Sequence, residues 1–154
     1  MSKTKVMVAV DFSDYSPKVV AYAGQLAEKM EAELLFVNVI NQRDINMVKK
    51  VTLYTERITV EGYLSDAIKD RTEQMRKMIK ETNCSNIPNR FVIKKGVPFS
   101  KLIETAREEK VDMVVMGTKG RGDLEGILFG SQADKMFRHC PVPLLSIREE
   151  NFRG

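Results

Sequence analysis

One histidine and two cysteines are all that the 154 residues offer as imidazole and thiolate metal ligands. Cys84 and Cys140 form no C-x-x-C pair, and His139 has no second histidine, so none of the usual zinc spacings can be assembled. Two free thiols in a reducing compartment are expected. A chain of this length is one ordinary domain and buries a sizeable core without cross-links. Long apolar runs are also missing, and no stretch reaches the roughly 20 residues needed to cross a bilayer. Met1-Ser2-Lys3-Thr4-Lys5 leads into an apolar run that Asp11 stops too early for a signal-peptide core. The expectation is a cytoplasmic protein with no membrane contact. A large excess of charge of one sign is absent as well. With 25 basic against 21 acidic residues, the surface reads as mixed and solvated rather than as a nucleic-acid footprint. The pairs Lys49-Lys50 and Lys94-Lys95 are too short to form a patch, so no nucleic-acid partner is expected. Aromatics are sparse at 7%, but 43% hydrophobic and 30% charged residues still give a globular balance, not a disordered one.

What is present is a regular alternation. Five short apolar runs occur at Val6 to Val10, Leu34 to Ile40, Phe91 to Ile93, Met113 to Met116 and Leu144 to Ile147. Most are continuous rather than alternating, which suits strands buried on both faces of a parallel sheet. The third is short and ends in two lysines, which predicts a position near an edge. Helical spacing fills the gaps. Ser16-Pro17 reads as a cap followed by proline at the first helical position, and Val19, Val20, Ala23, Leu26, Ala27 and Met30 then share one face. Leu64, Ala67, Ile68, Met75, Met78 and Ile79 make a second stripe. Phe99, Leu102, Ile103 and Ala106 make a third, and Ala133, Met136, Phe137 and Cys140 a fourth. The methionines read as core filler. Residues 41–63 are less regular and predict a loop with some helix over one end of the sheet. Strict strand–helix alternation predicts an α/β fold, an open five-stranded parallel sheet with helices on both faces. No interdomain linker or repeat is visible. A single domain over residues 1–150 with a short tail at 151–154 is expected.

In such a sheet ligands bind beyond the carboxyl ends of the strands, where strand order reverses. The residues after each run therefore matter most. They are Asp11-Phe12-Ser13-Asp14 after the first, Asn41-Gln42-Arg43 after the second, and Gly117-Thr118-Lys119-Gly120-Arg121-Gly122 after the fourth. The last stretch continues to Gly130-Ser131 before the fourth helix. Its glycines permit positive φ and close approach of a ligand to the backbone. Successive N–H groups can form an anion-binding concavity, and Ser131 opens a helix whose first turn attracts phosphate. Lys119 and Arg121 add positive charge. Together these features suggest a polyphosphate site, although neither a Walker A loop nor G-x-G-x-x-G is present. His139, near the far end of the fourth helix, reads as a helix-terminus residue rather than a catalytic base.

Gly117-x-x-Gly120, nine further residues and then Gly130-Ser131 resembles the G-2x-G-9x-G-[ST] signature of the ATP-binding universal stress proteins. The flanking Ile127-Leu128-Phe129 and His139-Cys140-Pro141-Val142-Pro143-Leu144-Leu145, and Val8-Ala9-Val10-Asp11-Phe12-Ser13 at the start, are also similar to that family. The resemblance spans nearly the whole chain and is weakest between Asn41 and Tyr63. It implies a Rossmann-like, adenine nucleotide alpha hydrolase-like sheet with strand order 3-2-1-4-5. It also implies ATP, or AMP or ADP, with Mg²⁺ or Mn²⁺ as ligands. Ala9 and Val39 would flank the adenine, and Met116 and Gly117 would lie near the adenosine. Asp11 would lie beside the ribose and any metal. Lys119, Gly120, Arg121, Gly130, Ser131, Gln132 and Ala133 would lie around the phosphates. Lys119 stands where the family often has His or Arg, and Asp123 where a small or neutral residue is common. The implied role is a nucleotide-dependent switch or sensor in a stress response, homodimeric through the last strand. The competing readings are a slow ATP-hydrolysing or adenylating enzyme of the same superfold, and a nucleotide-free interaction module. No general base stands out, and the S-G-G-x-D-S and H-x-G-H motifs of such enzymes are absent after the first run.

Overall fold

The computed structural model describes residues 3–119 and 130–148. Five parallel strands form one sheet in the order β3-β2-β1-β4-β5. They are β1 (Lys5–Ala9), β2 (Glu33–Asn41), β3 (Asn89–Gly96), β4 (Met113–Gly117) and β5 (Leu144–Ile147). The helices are α1 (Ser16–Met30), α2 (Gln42–Val51), α3 (Val60–Glu81), α4 (Pro98–Glu108) and α5 (Ser131–His139). The strand order is the one expected, with β3 at one edge and β5 at the other.

The continuous apolar runs have the cause inferred for them. Alternate residues of β1, β2 and β4 feed two cores on opposite faces of the sheet. Val6, Val8, Leu34, Phe36 and Val115 pack with Val19, Val20, Ala23 and Met75 beneath α1 and α3. Met7, Leu35, Val37, Val114 and Met116 pack with Leu102, Ile103, Ala106, Ala133 and Met136 beneath α4 and α5. Each fully buried large side chain contributes about 1.5–3 kcal/mol relative to exposure.

Residues 41–63 hold the expected mixture of helix and loop: α2, capped by the Asn41 side chain, which accepts from Arg43 N, then an irregular stretch over 52–59 before α3. Other local expectations need correcting. α1 starts at Ser16 itself, so Pro17 is its second residue. The Ser16 hydroxyl does not cap the helix; it donates to Asp11 Oδ1 at 2.9 Å. Phe137, placed by spacing on the core face of α5, is 47% exposed, and Met30 and Ile68 are exposed as well. α3 buries only Met75 fully. Both thiols are free, Cys84 buried and Cys140 partly so.

Candidate nucleotide site

The carboxyl ends of β1, β2 and β4 open into a cavity of about 670 Å³, within the usual range for small-molecule sites. It lies at the switch point, where the chain passes from the β1-β2-β3 half of the sheet to β4 and β5. Of the residues expected there, Ala9, Asp11, Val39, Met116, Gly117, Lys119, Ser131, Gln132 and Ala133 all line it. Gly130 stands just outside as the N-cap of α5. Gly120, Arg121 and Asp123 lie outside the described residues.

The chain leaves β1 by a tight turn. Phe12 adopts φ 58, a left-handed conformation uncommon for a bulky residue. Its ring meets Phe91 edge-on at 6.3 Å between centroids, which holds the turn against the core. This leaves Asp11 at the cavity wall, where Oδ1 accepts from Ser13 N and from the Ser16 hydroxyl, both at 2.9 Å. A carboxylate so oriented can accept from hydroxyls or ligate a hard cation.

On the β4 side, Thr118 pins both ends of the following connection. Its N–H donates to Ile147 O at 3.1 Å, and its carbonyl accepts from Gly130 N at 2.7 Å. The first turn of α5 thereby faces the cavity with Ser131, Gln132 and Ala133, and its amides and dipole favour an anion there. Gly130 has φ −75. The reason expected for a glycine, access to positive φ, therefore does not apply at this position. Gln132 does more than offer its backbone. Its Oε1 accepts from Phe99 N at 2.8 Å and so supplies the cap that α4 lacks from its own Val97. Lys119 Nζ lies 5.9 Å from the centre of the Tyr15 ring on the opposite wall.

The remaining wall was only partly foreseen. Asn41 and Arg43 follow the second apolar run and do line the cavity. Tyr15, Asn38, Asp44, Tyr63 and Arg71 line it too. Asn38 had a signal, as a lone polar residue inside a buried apolar run. Tyr63 and Arg71 had none, because they arrive from α3 through tertiary packing. Among the described residues no group of three or more His, Cys, Asp or Glu could hold a metal by itself. Asp11 and Asp44 are the carboxylates on the cavity wall, hard oxygen donors of the kind that suit Mg²⁺ or Mn²⁺.

A doubly wound parallel sheet with a helix start and a carboxylate at its switch point is the Rossmann-like architecture. The universal stress protein family model matches residues 3–148, and the chain belongs to that family. Universal stress protein MJ0531 of Methanocaldococcus jannaschii is 27% identical over 140 residues, covering 90% of this chain and 79% of the relative. The solved structure of the hypothetical protein MJ0577 superposes with TM-score 0.80 at 20% identity, covering 98% of this chain and 99% of that one. A universal stress protein from Archaeoglobus fulgidus solved in complex with dAMP superposes at TM-score 0.68 and 17% identity, covering 96% and 99%. Among the described residues no helix is long and apolar enough to cross a membrane.

Proposed function

We propose that the protein binds ATP, with Mg²⁺ or Mn²⁺, and acts as a nucleotide-dependent switch or sensor in a stress response. The observation that carries this reading is the cavity itself. It places the first turn of α5 and Lys119 on the β4 side and Asp11 at the end of β1. In this assignment Ala9 and Val39 flank the base, and Met116 and Gly117 lie against the adenosine. Asp11 serves the ribose and the metal. Ser131, Gln132 and Ala133 meet the phosphates with Lys119, together with Gly120, Arg121 and Gly130. The metal would offset phosphate charge. Calorimetric titration with ATP and with adenosine tests the reading. ATP is expected to bind more tightly, and Lys119→Ala to weaken ATP about tenfold while leaving adenosine unchanged. Equal binding of the two ligands would remove the polyphosphate from the assignment.

We further propose a homodimer through β5. The carbonyls of Pro143, just before β5, and of Ile147 accept from Val114 N and Thr118 N on the β4 side, so strand alternation turns the backbone groups of Leu144 and Ser146 toward the open edge. Leu145 and Ile147 pack into the core under α1, so pairing along the backbone, not a spare apolar face, would join two copies. Light scattering is expected to give twice the chain mass for the wild type and the single-chain mass for Ser146→Pro, which removes an outward N–H. A monomeric wild type would dismiss the dimer.

A further inference from the structure

Asn38 interrupts the apolar run of β2 and is only 3% exposed. It lies on the face of β2 that carries Leu34 and Phe36, beneath α1 and α3. Both ends of its amide are occupied. Nδ2 donates to the Val10 carbonyl at 2.7 Å, and Oδ1 accepts from Arg71 Nη1 at 2.7 Å. The guanidinium can only donate, so the amide oxygen must face Arg71 and the NH2 must face Val10. Arg71 thereby fixes which way round the asparagine sits.

The bond to Val10 falls where β1 leaves the sheet. Val10 N still donates to Val37 O at 2.9 Å, but Phe12 at φ 58 turns the chain out of the ladder. Val10 is 4% exposed, so an unbonded carbonyl here would be buried without a partner. That carbonyl shares a rigid peptide plane with the nitrogen of Asp11. Holding the oxygen therefore sets the direction in which Asp11 starts, and with it the direction of its carboxylate at the cavity wall.

We propose that Asn38 and Arg71 are positioning residues for Asp11, a relay in which α3 acts through a buried asparagine on the exit of β1. The proposal rests on the nucleotide reading for its functional consequence and on the hydrogen bonds alone for its geometry. Asn38 and Arg71 also line the cavity, so the part of any loss that passes through Asp11 has to be separated from a contact of their own, and a double-mutant cycle isolates it.

ATP affinity in the presence of Mg²⁺ is measured by calorimetry for the wild type, Asn38→Leu, Asp11→Ala and the double variant, with stability followed by urea unfolding. Each single change is expected to weaken ATP about tenfold, and the double variant to bind no more weakly than Asp11→Ala alone. Additive losses would overturn the proposal, since a merely structural asparagine would act the same in either background. Arg71→Met is expected to match Asn38→Leu, with part of the loss restored by Arg71→Lys, whose ammonium can still donate to Oδ1. A lysine variant no better than methionine would remove Arg71 from the relay. If Asn38→Leu does not fold, Asn38→Asp takes its place in the cycle, keeping the bond from Arg71 and losing the donor to Val10. A second readout needs no nucleotide. Ser13 N donates to Asp11 Oδ1, so its amide exchange is expected to quicken about tenfold in Asn38→Leu. Unchanged exchange at Ser13 would sink the relay even where ATP binds. If the wild type fails to bind ATP, the nucleotide reading falls and the Ser13 amide alone decides the relay.

Discussion

At Gly24, in the middle of α1, a Cβ would lie 2.5 Å from the Cys84 sulfur. Cys84 is fully buried just past α3 and has little room to yield. Alanine in a helix interior normally gains about 1 kcal/mol over glycine, but overpacking typically costs 1–3 kcal/mol. Gly24→Ala is therefore expected to destabilise by about 1 kcal/mol, read by urea unfolding, and Gly24→Ala with Cys84→Ala to recover the loss. An unchanged midpoint for the single variant would show that the sulfur moves aside. The helical stripe told where α1 faces inward, but nothing in the sequence announced this contact, because it joins α1 to the turn just past α3. The same limit applied at the site. Asp11, Lys119 and Ser131 were legible since each directly follows a strand or opens a helix. Arg71 was not, since its place depends on how α3 packs. Gly130 was singled out for positive φ and for close approach to its backbone, and its φ of −75 removes only the first of these reasons.

Three helices share one ending, and none of them uses glycine for it. After α4, Lys110 takes φ 52 while Lys110 N bonds to Arg107 O and Val111 N to Ala106 O. This is the Schellman pattern, with Val111 and Ala106 both in the core beneath α4. Glu31 at φ 53 ends α1 in the same way, with Ala32 N on Ala27 O. Asn83 at φ 61 ends α3, with Cys84 N on Ile79 O. A left-handed glutamate or lysine costs roughly 1–2 kcal/mol that glycine avoids, less the entropy glycine loses on folding. Glu31→Gly and Lys110→Gly are each expected to stabilise by about 0.5–1 kcal/mol, and Asn83→Gly by less, since asparagine tolerates this conformation. A lower denaturation midpoint for Lys110→Gly would contradict the argument. These endings were hard to see in the sequence because the usual glycine signal is missing. α2 was read as irregular because its one buried residue, Ile45, gives no stripe. Val48 is only half-buried, and Met47 and Val51 face solvent.

Across the whole molecule, charge gathers at the end of the sheet away from the cavity. Lys5 Nζ lies 3.8 Å from Glu33 and 3.7 Å from Glu109, and Arg90 pairs with Glu109 as well, so β1, β2, β3 and the end of α4 meet there. The hydrogen bond from Arg90, outweighing partial burial and helped by the charges of Arg90 and Lys5, holds the Glu109 carboxyl below the usual carboxylate range. A depressed folded pKa stabilises above the unfolded value and is lost as pH falls through the folded one. Glu109→Gln is therefore expected to cost about 0.5 kcal/mol at pH 7, the scale of a largely exposed pair. Thermal melts should show the gap between variant and wild type closing as pH drops below the carboxylate range. The parallel, doubly covered sheet was legible from strand burial and alternation, while its order came only with the family resemblance, and that order has a temporal side. β1 meets β2 early, with Lys5 opposite Glu33, but its other edge meets β4, with Val6 opposite Met113. At the ~5–20 residues per second of protein synthesis, that edge waits roughly 5–20 s for its neighbour. During that interval a bare apolar strand edge is open to any other chain, which is a period of exposure to chaperones and to aggregation. Met116 and Gly117 arrive with β4, and the start of α5 is made later still. Whatever the cavity holds, a nascent chain cannot hold it until α5 has left the ribosome.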